Sequence, residues 1–147
     1  MTPYFDPRWL VLLVVHTAGI QRAWALVNRF AAPYVLNPMH QLTLENALHR
    51  QLLDSNPTLK QAALIGLRRW QNQLAEQVFA VRPPDWLMAY QLALQWNREN
   101  SGRPTIHGNL LHVALAKTGS ATHFFSLDAE ARALATTKGL SVLPESS

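Results

Sequence analysis

Asp6, Glu45 and Asp128 are the side chains of this sequence best placed to do chemistry. Carboxylate oxygens gathered in one pocket with room for water suit Mg²⁺ or Mn²⁺. Such ions activate a water molecule and stabilise phosphate oxygens. Each acid also has a plainer role. Asp6 precedes Pro7 and Asp128 precedes Ala129, positions where an aspartate caps a helix. Glu45 lines up with Leu42, Leu48 and Leu52 at helical spacing, so the pattern predicts a carboxylate in an apolar stripe. A buried carboxylate needs a cation, a hydrogen-bond network or a metal, and a salt bridge to Arg50 or another arginine would serve equally.

Other chemistries are excluded or weakly signalled. The chain has no cysteine, which rules out disulfides, thiolate metal sites and cysteine nucleophiles. It contains no Walker-type glycine loop, no G-x-S-x-G elbow and no G-x-G-x-x-G. His107 and His112 are five apart and do not share a helix face, so they make no zinc motif, and His112 reads as a hydrogen-bonded core histidine. Lys60, Arg68 and Arg69 read as a solvated helix face. Arg98 and Arg103 flank a polar loop from which they could reach a phosphate. The formal charge of +4 permits a polyanionic partner without demanding one. Trp9 to Val15 is apolar but far short of the ~20 residues that cross a bilayer. With no clear leader pattern either, the expectation is a soluble, cytoplasmic protein that does not enter a membrane.

The elements that must position these acids follow from punctuation and period. A short strand ends at Tyr4-Phe5-Asp6, and Asp6-Pro7 opens a helix through Trp9–Val14. A second helix spans Ile20–Phe30, with apolar residues at Ile20, Ala23, Trp24, Val27 and Phe30. Pro33 stops it, and Tyr34–Leu36 forms a strand. Asn37-Pro38 opens a helix from Met39 to about Leu53, and Asn56-Pro57 opens another to about Val78. Phe79–Pro84 reads as a connector, because Pro83-Pro84 forbids helix. Asp85 caps a helix from Trp86 to about Asn97, with an apolar face built from Leu87, Tyr90 and Leu94.

After a loop over Arg98–Thr105, Ile106 to Gly119 is a helix apolar nearly all round, so it is buried on more than one side. A strand at Thr122–Leu127 leads to Asp128 and a helix over Ala129–Lys138 that closes at Gly139. Leu140–Leu143 is the last strand. Four short apolar strands separated by helices predict an α/β fold. Its central parallel sheet of about four strands is covered by helices on both faces, in a single domain over residues 1–144 with a tail at 145–147. Ligand sites in such folds lie beyond the carboxyl ends of the strands, where Asp6 and Asp128 both stand.

Four stretches, in order, resemble the PIN-domain family of VapC-type toxin ribonucleases and together cover nearly the whole chain. Thr2-Pro3-Tyr4-Phe5-Asp6 resembles the first strand with its metal-binding aspartate. Leu42-Thr43-Leu44-Glu45 with Ala47-Leu48 resembles the segment that supplies the family's glutamate. Leu111-His112-Val113-Ala114 and Ala116 look like the helix written D-x-L-H-x-A-x-A. Phe124-Phe125-Ser126-Leu127-Asp128, then Leu134-Ala135 and Gly139–Leu143, resemble the T-x-D strand, helix and final strand.

The resemblance implies a PIN-like three-layer sandwich and an Mg²⁺- or Mn²⁺-dependent endoribonuclease. Asp6, Glu45 and Asp128 would be its catalytic, metal-holding acids, and Ser126 would support the last of them. It also implies a homodimer held inactive by a small antitoxin protein. Two positions depart from the pattern. Asn109 stands where the family has its third aspartate, so one metal ligand is a neutral amide. Pro7-Arg8 follow Asp6 where members commonly carry Thr or Ser, which removes a hydroxyl and adds a positive charge. Both changes weaken metal binding. The alternative reading is therefore a catalytically degenerate PIN-like domain that binds RNA or a protein.

Overall fold

A computed structural model describes residues 1–15, 17–100 and 102–145. In chain order the elements are β1 (Pro3–Phe5), α1 (Pro7–Val14), α2 (Ile20–Val27), β2 (Tyr34–Leu36), α3 (Pro38–Leu52) and α4 (Pro57–Ala75). They continue with β3 (Phe79–Val81), α5 (Trp86–Glu99), α6 (His107–Thr118), β4 (His123–Phe125), α7 (Ala129–Thr137) and β5 (Ser141–Leu143). The chain forms two compact units, Pro7–Arg82 in one and Met1–Asp6 with the residues from Pro83 onward in the other.

The unit that holds both strand-end aspartates is built on a parallel sheet in the order β1-β4-β5. Tyr4 pairs with Phe124, and Phe125 pairs with Leu143. Successive side chains on a strand point to opposite faces. Phe124 and Phe125 are both fully buried, so this sheet is covered on both faces, as its unbroken apolar strands predict. α6 packs against α5 and α7 and buries Leu110 and every residue from His112 to Ala116, which bears out the all-round apolar pattern. Gly139, at φ +83°, ends α7 in the left-handed conformation that a side chain disfavours.

The other unit is mostly helical. α1 buries Trp9, Leu10, Leu13 and Val14 and packs against α2, α3 and α4. α3 and α4 open on Asn37 and Asn56, whose side chains accept from the backbone N–H groups of His40 and Thr58. β2 and β3 pair in parallel, with Tyr34 opposite Phe79. Around Phe79 stand Trp24, Tyr34 and Trp70, at ring-centroid distances of 5.9, 5.9 and 5.6 Å.

Several sequence expectations change here. The Phe79–Pro84 connector contains β3, a strand of three residues that shows no period and exists because Tyr34–Leu36 pairs with it. Among the described residues the strands therefore number five, divided into a sheet of three and a pair. α4 stops at Ala75 rather than Val78, because Gln77 adopts φ +56°. α2 stops at Val27, where the Tyr34 hydroxyl donates to the carbonyls of Val27 and Phe30. On α5 the buried residues are Ala89 and Trp96, whereas Leu87, Tyr90 and Leu94 are exposed. The expected apolar face was drawn through the larger side chains, but a close helix contact takes the small alanine. The tail expected at 145–147 includes Ser146 and Ser147, which lie outside the described residues.

Candidate acidic site

Asp6 follows directly on β1 and is buried, with a relative exposure of 6%. Its backbone N–H donates to the Phe125 carbonyl at 2.9 Å, which extends the β1–β4 ladder by one step. Ser126, fully buried, continues β4 in the same way, its N–H donating to the Leu143 carbonyl at 3.1 Å. Asp6 and Ser126 therefore stand side by side at the carboxyl edge of the sheet, where α/β folds place ligands.

The Ser126 hydroxyl oxygen accepts the Asp128 N–H at 3.0 Å, and Arg132 donates to the Ser126 carbonyl at 2.7 Å. Ser126 thus shapes the turn between β4 and α7. Asp128 is half-buried, and its Oδ1 caps α7 by accepting the Ala131 N–H at 2.8 Å. The capping role foreseen for this residue is real.

Asn109, half-buried on the first turn of α6, is drawn into the same corner. Its amide nitrogen donates to Asp128 Oδ1 at 3.1 Å and to Glu130 Oε1 at 2.9 Å. An ionised carboxylate only accepts, so the amide must present its NH₂ to both acids and turn its oxygen elsewhere. Glu130 also accepts the Ile106 N–H at 3.0 Å and so ties the start of α6 to α7. Sequence reasoning missed Glu130. It is exposed and lies two residues past Asp128, outside the quoted family pattern; the only signal was an acid in the first turn of a helix.

His112 lies on the same helix as Asn109 and is buried, with Nδ1 2.7 Å from the Tyr4 hydroxyl. Tyr4 stacks on Phe124 at 5.6 Å, so the histidine braces α6 against β1 as a core residue.

Glu45 lies in the helical unit. It is half-buried, and its Oε1 accepts from Gln41 Nε2 at 2.9 Å and from the indole N–H of Trp70 at 3.1 Å. Neutral donors satisfy it, not the arginine proposed from sequence. The stripe through Leu42 and Leu48 is also corrected: Leu44 and Leu48 are fully buried, and Leu42 is exposed. Glu45 sits at the margin of the buried face.

A divalent cation needs several oxygen lone pairs aimed at one point. Here Asp128 Oδ1 already accepts two N–H groups, and Asn109 aims hydrogens, not its oxygen, at the neighbouring acids. Among the described residues no three His, Asp or Glu side chains gather in a metal-holding group. As arranged, this corner holds an amide between two carboxylates.

The architecture has a counterpart among solved structures. The crystal structure of FitAcB from Neisseria gonorrhoeae superposes with a TM-score of 0.62, covering 96% of each chain at 15% sequence identity. The fold is PIN-like. No protein-family profile matches the sequence. No curated protein matches it either. At that identity the likeness shows the fold alone. Among the described residues no helix is long and apolar enough to cross a membrane.

Proposed function

We propose that this chain is a PIN-like domain that engages RNA without hydrolysing it and is controlled by an antitoxin-like protein partner. The observation that carries the non-hydrolytic reading is the Asn109 amide. It supplies partial positive charge to Asp128 and Glu130, as a cation would, without the cation's power to activate water. The chain's surplus of basic side chains supports an RNA partner. Leu87, Tyr90 and Leu94, exposed along one face of α5, support a homodimer through that helix. The reading takes residues 1–144 as one domain and the cytoplasm as its compartment.

A second reading, the metal-dependent endoribonuclease, is favoured by Asp6 and Ser126 standing together at the sheet's carboxyl edge with Asp128 just beyond. It requires Mg²⁺ or Mn²⁺ at Asp6, Glu45, Asn109 and Asp128, with the Asn109 amide turned over.

Purified protein incubated with structured RNAs separates the two. The expected result is an RNA gel shift that survives EDTA, with no cleavage in Mg²⁺ or Mn²⁺. Cleavage that depends on Mn²⁺ and disappears in Asp6→Asn establishes the nuclease reading instead. The absence of any shift removes RNA as a partner.

A further inference from the structure

The chain's basic surplus is unevenly placed. Pro7–Arg82 carries eight lysines and arginines but only three carboxylates, Glu45, Asp54 and Glu76. The remainder carries five basic and six acidic side chains, so the whole surplus belongs to the helical unit. Within it, Arg22, Arg29, Lys60, Arg68 and Arg82 are all exposed. Charge asymmetry of this kind marks the half of a protein that meets a polyanion.

The same unit holds a surface pocket of about 520 Å³ between α2 and α4. Its walls include Gln21, Trp24, Asn28, Arg69 and Gln73, and among the described residues no carboxylate lines it. The volume lies in the range of small-ligand sites. Trp24 is half-buried and fixed, its indole N–H donating to the Leu13 carbonyl at 2.8 Å. Arg69 is also fixed, with one guanidinium nitrogen donating to the Val14 carbonyl at 2.9 Å. Gln73 Oε1 is buried and accepts no hydrogen bond from the described residues. A buried acceptor without a donor calls for one.

We infer that this pocket is a nucleotide subsite for single-stranded RNA. An aromatic wall, side-chain amides and a guanidinium are the groups that recognise an unpaired base with its phosphate. The exposed arginines and lysine of the same unit would carry the flanking backbone. The inference rests on the RNA reading above and adds where the strand binds, in the helical unit.

The test is fluorescence anisotropy of a fluorescein-labelled single-stranded oligoribonucleotide with the full chain. The double variant Gln21→Glu with Asn28→Glu adds two negative charges to the pocket at exposed positions. The control, Ala133→Glu with Thr136→Glu, adds the same charge to exposed positions on α7. Circular dichroism verifies that both variants are folded. The expected result is affinity reduced at least about tenfold in the pocket variant and nearly unchanged in the control. Equal affinity for the pocket variant and the wild type overturns the subsite while leaving RNA binding in place. Equal competition by unlabelled duplex RNA also overturns it, because a duplex offers no unpaired base. Failure of the wild type to bind the oligomer at all overturns the subsite and the RNA reading together.

Discussion

Asn109 on α6 donates its side-chain amide to Asp128 Oδ1 at 3.1 Å, the same oxygen that caps α7. One contact thus joins a residue that departs from the family pattern to one that keeps it. It also places a hydrogen where a metal-binding site needs an empty, electron-rich corner.

Asn109→Asp tests that arrangement directly. The substitution removes two hydrogen bonds and sets a third carboxylate against Asp128 and Glu130. Without metal the variant should lose about 1–3 kcal/mol of stability. Mn²⁺ should then raise its melting temperature while leaving the wild type unmoved, as read by differential scanning fluorimetry. An equal Mn²⁺ response in both proteins would mean that the amide does not keep metal out.

Gly66 lies inside α4, where glycine costs about 1 kcal/mol relative to alanine. A Cβ there would sit 3.0 Å from Leu48 Cδ2 and 3.2 Å from the Val14 carbonyl oxygen. Leu48 is fully buried and the carbonyl belongs to the backbone, so neither yields cheaply. Gly66→Ala should therefore destabilise the protein by about 1–2 kcal/mol net of the propensity gain. A raised urea midpoint would show that α4 has room to shift.

Tyr4→Phe removes the 2.7 Å hydrogen bond to His112 Nδ1 but keeps the ring that stacks on Phe124. The loss should be about 1–3 kcal/mol, because a buried polar partner goes while the packing stays. Chemical denaturation measures it. A variant as stable as the wild type would assign the pair's role to packing alone.

Tyr34 supplies a pH dependence. Burial raises its phenol above the ordinary tyrosine value, since the charged phenolate would be desolvated. The folded state therefore holds this proton to higher pH than the unfolded chain does. That contribution is intact below the unfolded tyrosine value, about pH 10, and is lost as pH rises through the folded value. Tyr34→Phe should flatten the alkaline end of a stability–pH curve relative to the wild type. Parallel curves above pH 10 would show that burial of Tyr34 does not shift its titration.

Punctuation and period in the sequence were enough to locate seven helices and four strands, because Asp-Pro and Asn-Pro pairs and 3.6-residue spacing act within a few residues. They also identified the acids at the strand ends, and the resemblance to the PIN pattern singled out Asn109. What local signals do not contain is which partner a residue meets. The strand at Phe79–Val81 exists only through its pairing with Tyr34–Leu36. The exposed face of α5 and the true margin of Glu45 depend on which neighbouring helix each packs against. Above all, the sequence shows that Asn109 lacks a charge. Only the meeting of α6 with the start of α7 turns that neutral side chain into a donor clamped between Asp128 and Glu130. Hydrogen bonds between residues distant in sequence are made by the fold.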